Sequence, residues 1–315
     1  MLRYLSGRAA GALAALFGVT LLSFFTAALI PGNPAYVLLG SYATPDRVAA
    51  LTRDWGLDAP LPIRYLTWLR HALAGDLGES VFSKQPVTAF LANSLPVTLE
   101  LSLMALTLAL AVAIPLGLLL AFNSRRWWSR PLMLISTVGV SIPGFWTGLL
   151  LVLLFAVKLQ VLPSGGYVAF TEDPAGNLTH MALPTLTLAM FLAPPLVRYL
   201  RSSAVAILSE PYVKTARSKG ISTARLLTRH VAPNALIPML TFLGLQIGTL
   251  ISGAIVTEVI FALPGMGRLG LDAILNRDYA LVQGVVLVVA AGYVVTNLAV
   301  DLLYGLVDPR IRVRT

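Results

Sequence analysis

Apolar residues in this chain gather into long runs separated by polar punctuation, at about 9–30, 99–122, 132–157, 181–200, 235–261 and 282–306. A helix needs about 20 mostly apolar residues to cross a bilayer, so the pattern predicts six transmembrane helices. The first run follows Arg3 and Arg8 and could pass for a secretory signal. Its apolar core is longer than a signal core, and Pro31-Gly32-Asn33-Pro34 reads as a turn rather than a cleavage site, so it is predicted to be retained.

The intervals differ in character. Residues 31–96 hold too many Leu, Trp and Tyr for a loose linker. Thr44-Pro45-Asp46 predicts a helix start with Val48, Leu51 and Trp55 on one face, residues 56–62 a turn, and 63–74 a second helix bearing Tyr65 and Trp68, ended by Gly75-Asp76-Leu77-Gly78. The expectation is a small cap packed on the membrane portion, with room for an outer partner. Residues 210–238 carry the densest basic charge: Lys214, Arg217, Lys219, Arg225, Arg229 and His230. The pattern there predicts a short helix capped by Ser209, with Pro211 in its first turn and a stop at Gly220. A second helix, capped by Ser222, would run through Asn234 into the next apolar run.

Charge orders the intervals into two sets. Six spans alternate sides, placing the N-terminus, 123–131, 201–234 and the tail together. That set holds Arg125, Arg126, Arg130, Arg201, the basic stretch, Arg310, Arg312 and Arg314, against few acids. In the other set, Arg and Lys are offset by Asp and Glu. The positive-inside rule then predicts both termini and the basic loop to be cytoplasmic. Composition agrees with a membrane chain, at 57% hydrophobic and 12% charged over 315 residues. The net charge of +9 is concentrated at span ends, so nucleic acid is not expected as a partner.

Inside the runs, Pro115, Gly117, Pro143, Gly144, Gly148, Pro184, Pro194 and Pro195 predict kinked helices around a pathway. Gly244 and Gly248 are spaced for close helix approach, whether within the chain, at a subunit interface or along a translocation face. Gly248, Thr249, Ser252 and Glu258 are the candidate pathway residues. Glu258 and Asp301 are ionisable groups near span ends, and ionisable groups inside a membrane often mark function.

The sequence narrows the chemistry. There is no cysteine, and His71, His180 and His230 lie far apart, so no metal-ligand spacing exists. Lys84, Lys158, Lys214 and Lys219 follow Ser83, Val157, Val213 and Ser218, so no glycine–lysine phosphate loop is present. No nucleophile elbow or His-Glu-x-x-His pair occurs. The chain is expected to be non-catalytic and to bind no cofactor itself.

Five motifs in order across the chain resemble the permeases of binding-protein-dependent ABC importers, closest to the dipeptide/oligopeptide/nickel subgroup. They are residues 56–62 with Arg64-Tyr65 and 75–78; the basic stretch 212–220 with Arg229-His230 and 234–238; Thr257-Glu258-Val259-Ile260-Phe261 with Pro264-Gly265-Met266-Gly267; Asp301-Leu302-Leu303-Tyr304; and Asp308-Pro309-Arg310. The wider importer signature has an acidic residue and two small ones where Thr215-Ala216-Arg217 stands here, a departure that fits the peptide subgroup.

The resemblance implies an all-α membrane protein of the type I importer permease fold in a bacterial inner membrane. Residues 1–95 would be the first span plus a periplasmic loop with short helices, and 96–315 a five-helix core containing a coupling loop at about 202–236. It further implies a second, homologous permease subunit, two ATP-binding subunits that hold ATP and Mg, and a solute-binding protein outside. Tyr212, Val213, Lys214, Thr215, Ala216, Arg217, Ser218, Lys219 and Gly220, with Arg225, would form the ATPase-coupling element, with Tyr212, Val213 and Ala216 as its buried contact. The solute would be a short peptide or a related small molecule. The alternative is an ion-coupled secondary transporter acting without ATPase partners.

Overall fold

The computed structural model describes residues 2–29 and 34–307. The turn at Pro31-Gly32-Asn33 and the motif Asp308-Pro309-Arg310, with the tail arginines, lie outside them. In chain order the α-helices are α1 (Leu2–Leu29), α2 (Pro34–Leu39), α3 (Pro45–Asp54), α4 (Leu61–Leu73), α5 (Val87–Phe122), α6 (Ser129–Ser141), α7 (Gly144–Leu151), α8 (Pro174–Leu208), α9 (Pro211–Ser218), α10 (Thr223–Leu226), α11 (Ala232–Ile260), α12 (Met266–Leu275) and α13 (Tyr279–Val307). No strand is formed among the described residues.

Among the described residues, four helices are long and apolar enough to cross a membrane: Gly7–Phe25, Val87–Phe122, Pro174–Leu208 and Tyr279–Val300. The fifth apolar run falls on the 29-residue α11. The third differs from expectation. It is broken after Ser141, where Ile142 takes an extended backbone (φ −82°, ψ 123°) and α7 restarts at Gly144. Pro143 is the cause, because its ring pushes the preceding residue out of the helical region. Beyond α7 the chain widens into a π-helical turn at Val152–Lys158. Pro115, Pro184, Pro194 and Pro195 lie inside unbroken helices.

Contacts divide the chain into two units, Thr98–Leu263 with the residues from Thr296 onward, and Leu2–Val97 with Pro264–Val295. In the second unit, α4 lies on α1 through aromatic side chains. Phe24 meets Tyr65 edge-on at 5.4 Å, and Trp68 stands 5.9 Å from Phe24. Thr20 donates its hydroxyl proton to the Phe17 carbonyl, so Tyr65 donates to Thr20 at 2.8 Å. The predicted cap helices are present as α3, behind Thr44, and α4. Asp76 accepts from Gly78 N–H at 2.9 Å and lies 3.1 Å from His71, and these contacts hold its carboxyl below the usual range.

The remainder of this unit departs from the pattern of apolar runs. Val87 and Leu91 at the start of α5 pack with Met266 and Ala273 of α12 and with Leu281 and Val285 of α13. α13 starts at Tyr279 because the buried Asp278 caps it, accepting from Leu281 N–H at 3.3 Å and from the Ser80 hydroxyl. The second and sixth helices therefore begin earlier than their apolar runs, and α12 is an additional helix.

In the first unit, α8 is central, with α6, α7 and α11 packed on it. Asp173 caps α8 by accepting from Ala175 N–H, and Pro174 occupies the first turn. Tyr199 and Phe242 stack at 4.5 Å across the α8–α11 contact. A Cβ on Gly117 would lie 3.1 Å from Leu200, and one on Gly244 would lie 3.1 Å from Val300. Gly244 thus serves a close contact within the chain.

Candidate functional site

The basic stretch folds into a knob between α8 and α11. Pro211, with its missing N–H, opens α9, but Glu210 rather than Ser209 holds the cap position. Ser209 ends α8 and donates to the Ala206 carbonyl. α9 closes with paired bonds, Gly220 N–H to Arg217 O at 3.0 Å and Ile221 N–H to Ala216 O at 3.4 Å. This is the Schellman arrangement, which requires a left-handed residue, and Gly220 supplies φ +78°.

Helical spacing sorts the side chains of α9. Val213 (2% exposed) and Ala216, three residues apart, face inward where α9 lies against α8 and α10. Lys214, Thr215, Arg217, Ser218 and Lys219 are exposed, and Tyr212 is 45% exposed. Of the three residues expected to form an apolar contact with a partner, two are covered by the chain itself and only Tyr212 is offered outward. Thr215 and Ser218 direct their hydroxyls to Pro211 O and Lys214 O. Arg217 turns back, its guanidinium 5.5 Å from the ring centre of Phe122.

Ser222 occupies the cap position of α10, as predicted, without a side-chain bond. Arg225 is exposed. The helix then widens into a π turn at Leu227–Val231 before becoming α11. Pro233 accounts for this, since it cannot donate to the carbonyl four residues back and its ring crowds that turn.

The candidate pathway residues separate. Gly248 lines a cavity of about 380 Å³ with Gly144, Phe145, Thr187, Leu188, Phe191, Gly253, Val256 and Thr257. The threonine hydroxyls are committed to Leu183 O and Gly253 O, so the lining is almost wholly apolar. The side chains of Thr249, Ser252 and Asp301 lie outside the described residues. Glu258 is not in the cavity lining. It is fully buried and accepts the Thr98 hydroxyl at 2.6 Å.

A second polar contact near this end of α5 is not foreseen by any sequence motif. Tyr167, in the connection before α8, donates to Glu100 at 2.8 Å. Burial, then this hydrogen bond, then the charges of Glu100 and Glu172, push its phenol up to about 12. The same connection is pinned where Gly166 N–H donates to Phe261 O at 2.8 Å. Gly165 beside it leaves no room for a side chain, because a Cβ would lie 2.5 Å from that oxygen. Asn177 adds an amide donor to Val168 O. The signal that could have pointed here is Thr98-Leu99-Glu100, polar groups at the edge of an apolar run. Among the described residues no group of three His, Asp or Glu could hold a metal ion.

Binding-protein-dependent transport system inner membrane components match residues 113–313, and the N-terminal part of such components matches residues 1–102. A peptide transport system permease of Brucella abortus (strain 2308) is 40% identical over 97% of each chain. The dipeptide transport system permease DppB of Escherichia coli (strain K12) is 38% identical over 99% of each. The crystal structure of an amino acid ABC transporter with histidines aligns at 20% identity and a TM-score of 0.45, covering 71% of this chain and 94% of that one. By the matches over 113–313 and the near full-length identity to curated relatives, this chain belongs to the family of binding-protein-dependent transport system inner membrane components, the membrane permease subunits of ABC transporters.

Proposed function

We propose that this chain is one of two permease subunits of an importer for short peptides, crossing the membrane six times with both termini in the cytoplasm. It would work with a homologous permease, two ATP-binding subunits that hold ATP and Mg, and a solute-binding protein outside. The four long apolar helices, the apolar α11 and the broken α6–α7 run would supply the six crossings, and the basic residues of 201–234 favour an inner location for the knob. Peptide as the cargo follows from the two peptide permeases it resembles.

The observation that carries the reading is the knob itself. α9 is short, closed by a Schellman turn, anchored on its inner face by Val213 and Ala216, and exposed on the other. Residues 212–220 and Arg225 would be the element that the ATPase grips, with Tyr212 as its aromatic anchor and Lys214 and Lys219 at its rim. Nucleotide-driven closure of the ATPases would displace α9 as a rigid body and switch the spans between inward-open and outward-open states. The apolar cavity beside Gly248 would form part of the pathway.

The test is affinity purification of the tagged chain from its native membrane in mild detergent, with mass spectrometry and an ATPase assay. Recovery of a second permease, ATP-binding subunits and vanadate-sensitive hydrolysis is expected. An intact, folded chain recovered alone would overturn the reading and leave a transporter working without ATPases.

A further inference from the structure

Of the basic residues in the exposed knob, Arg217 is the one stacked on an aromatic ring of its own chain, that of Phe122. A guanidinium over an aromatic face is attracted by the ring's quadrupole, and the contact is directional as well as adhesive. Phe122 is the last residue of α5. From Thr98 to Phe122 the chain stays helical, including at Pro115, a length of roughly 37 Å at 1.5 Å per residue. At the opposite end, Thr98 bonds Glu258 and Glu100 accepts from Tyr167. Tyr167 belongs to the connection at 159–173, which lies over the end of α11 with Gly166 on Phe261 O.

We infer that this stretch of α5 is a push rod, with Arg217 and Phe122 as its inner joint and Glu100 and Tyr167 as its outer joint. This rests on α9 being the ATPase-facing element. A hydrogen-bonded helix resists axial compression, so a displacement of α9 delivered through the guanidinium onto the Phe122 ring reaches Glu100 as a displacement of the whole segment. Glu100 then draws or releases the strap through one charge-assisted hydrogen bond, a contact stronger than its neutral counterpart. Arg217 and Phe122 are positioning residues: they touch no solute, and they determine how far the strap follows the nucleotide state.

The chain has no cysteine, so one introduced on the strap is unique within it. Glu172→Cys carries a spin label on the exposed strap, in the assembled complex with its ATPases. Spectra are compared without nucleotide and after trapping with ATP and vanadate. The rod predicts a label shift in the wild-type background, a response at least threefold smaller in Phe122→Ala and Phe122→Leu, and restoration by Phe122→Trp. Tyr167→Phe should abolish the response while ATPase subunits still co-purify. A full response in Phe122→Leu, or no response in the wild-type background with ATPases bound, would overturn the rod alone. Failure of the wild-type chain to retain ATPases would instead overturn the coupling reading on which it rests.

Discussion

The basic knob around α9 and the strap at 159–173 each turn on a glycine, for opposite reasons. Gly220 has open space around it, with nothing within 4 Å of where a Cβ would stand, but its φ is +78°. Gly165 has no such backbone demand; its place is filled by the Phe261 carbonyl. Polar groups follow the same division. Thr215 and Ser218 in the knob bond their own helix and leave the surface free. In the strap, Tyr167, Gly166 and the neighbouring Asn177 link separate parts of the chain. The knob is shaped by its backbone and leaves one face of α9 exposed, whereas the strap is held by other parts of the chain.

The largest effect is expected from filling the strap's glycine. In Gly165→Ala, Cβ meets backbone oxygen rather than a movable side-chain end, so the strap must lift and the Gly166–Phe261 bond is lost. Overpacking of this kind costs about 1–3 kcal/mol, sometimes more. The purified protein should lose several degrees of thermal midpoint. Gly144→Ala, with nothing within 4 Å, should lose almost none. Equal midpoints for the two variants would break the contrast at the strap.

Next is Glu258. Glu258→Leu removes the buried carboxylate that accepts from Thr98, at a cost of about 1–3 kcal/mol. Glu258→Gln keeps an acceptor and should fall by less than half as much in the same melt. Gly220 separates function from stability. Gly220→Val forces a β-branched residue into a left-handed turn, a strain of roughly 1–2 kcal/mol confined to the knob. Membrane insertion should be normal and peptide uptake lost, with Gly220→Asn recovering part of it. Normal uptake by Gly220→Val would remove the knob from the coupling mechanism.

What the sequence makes legible follows the same division. Helix-stop chemistry is local, so Gly220, Pro211, Ser222 and the cap helices behind Thr44 and after Pro62 can be read from neighbouring residues alone. Apolar runs locate the membrane helices but not their ends. The start of α5 at Val87 depends on α12 and α13, and the start of α13 depends on Asp278, which meets Ser80 from far along the chain. The break at Pro143 is visible as a proline, but three other prolines in α8 do not interrupt it, because neighbouring helices decide the outcome. The inward face of α9 escapes the sequence for a related reason. Apolar residues three apart show that one side is buried, not whether a partner or the chain itself covers it.

The smallest effect sharpens the strap's side of the contrast. A phenol pushed up to about 12 keeps its proton where an unfolded tyrosine, at about 10, has lost it. The neutral phenol is the form that donates to Glu100, so its contribution to stability is complete below about pH 10 and disappears as pH rises through about 12. Phenolate absorbance in the wild type minus that of Tyr167→Phe should therefore show a single step centred near 12. A step near 10 would mean that neither burial nor the Glu100 carboxylate acts on the phenol. Loss of the phenol's own proton therefore lies far above neutral pH, and the rod reading assigns any movement of the strap to the helix that carries Glu100.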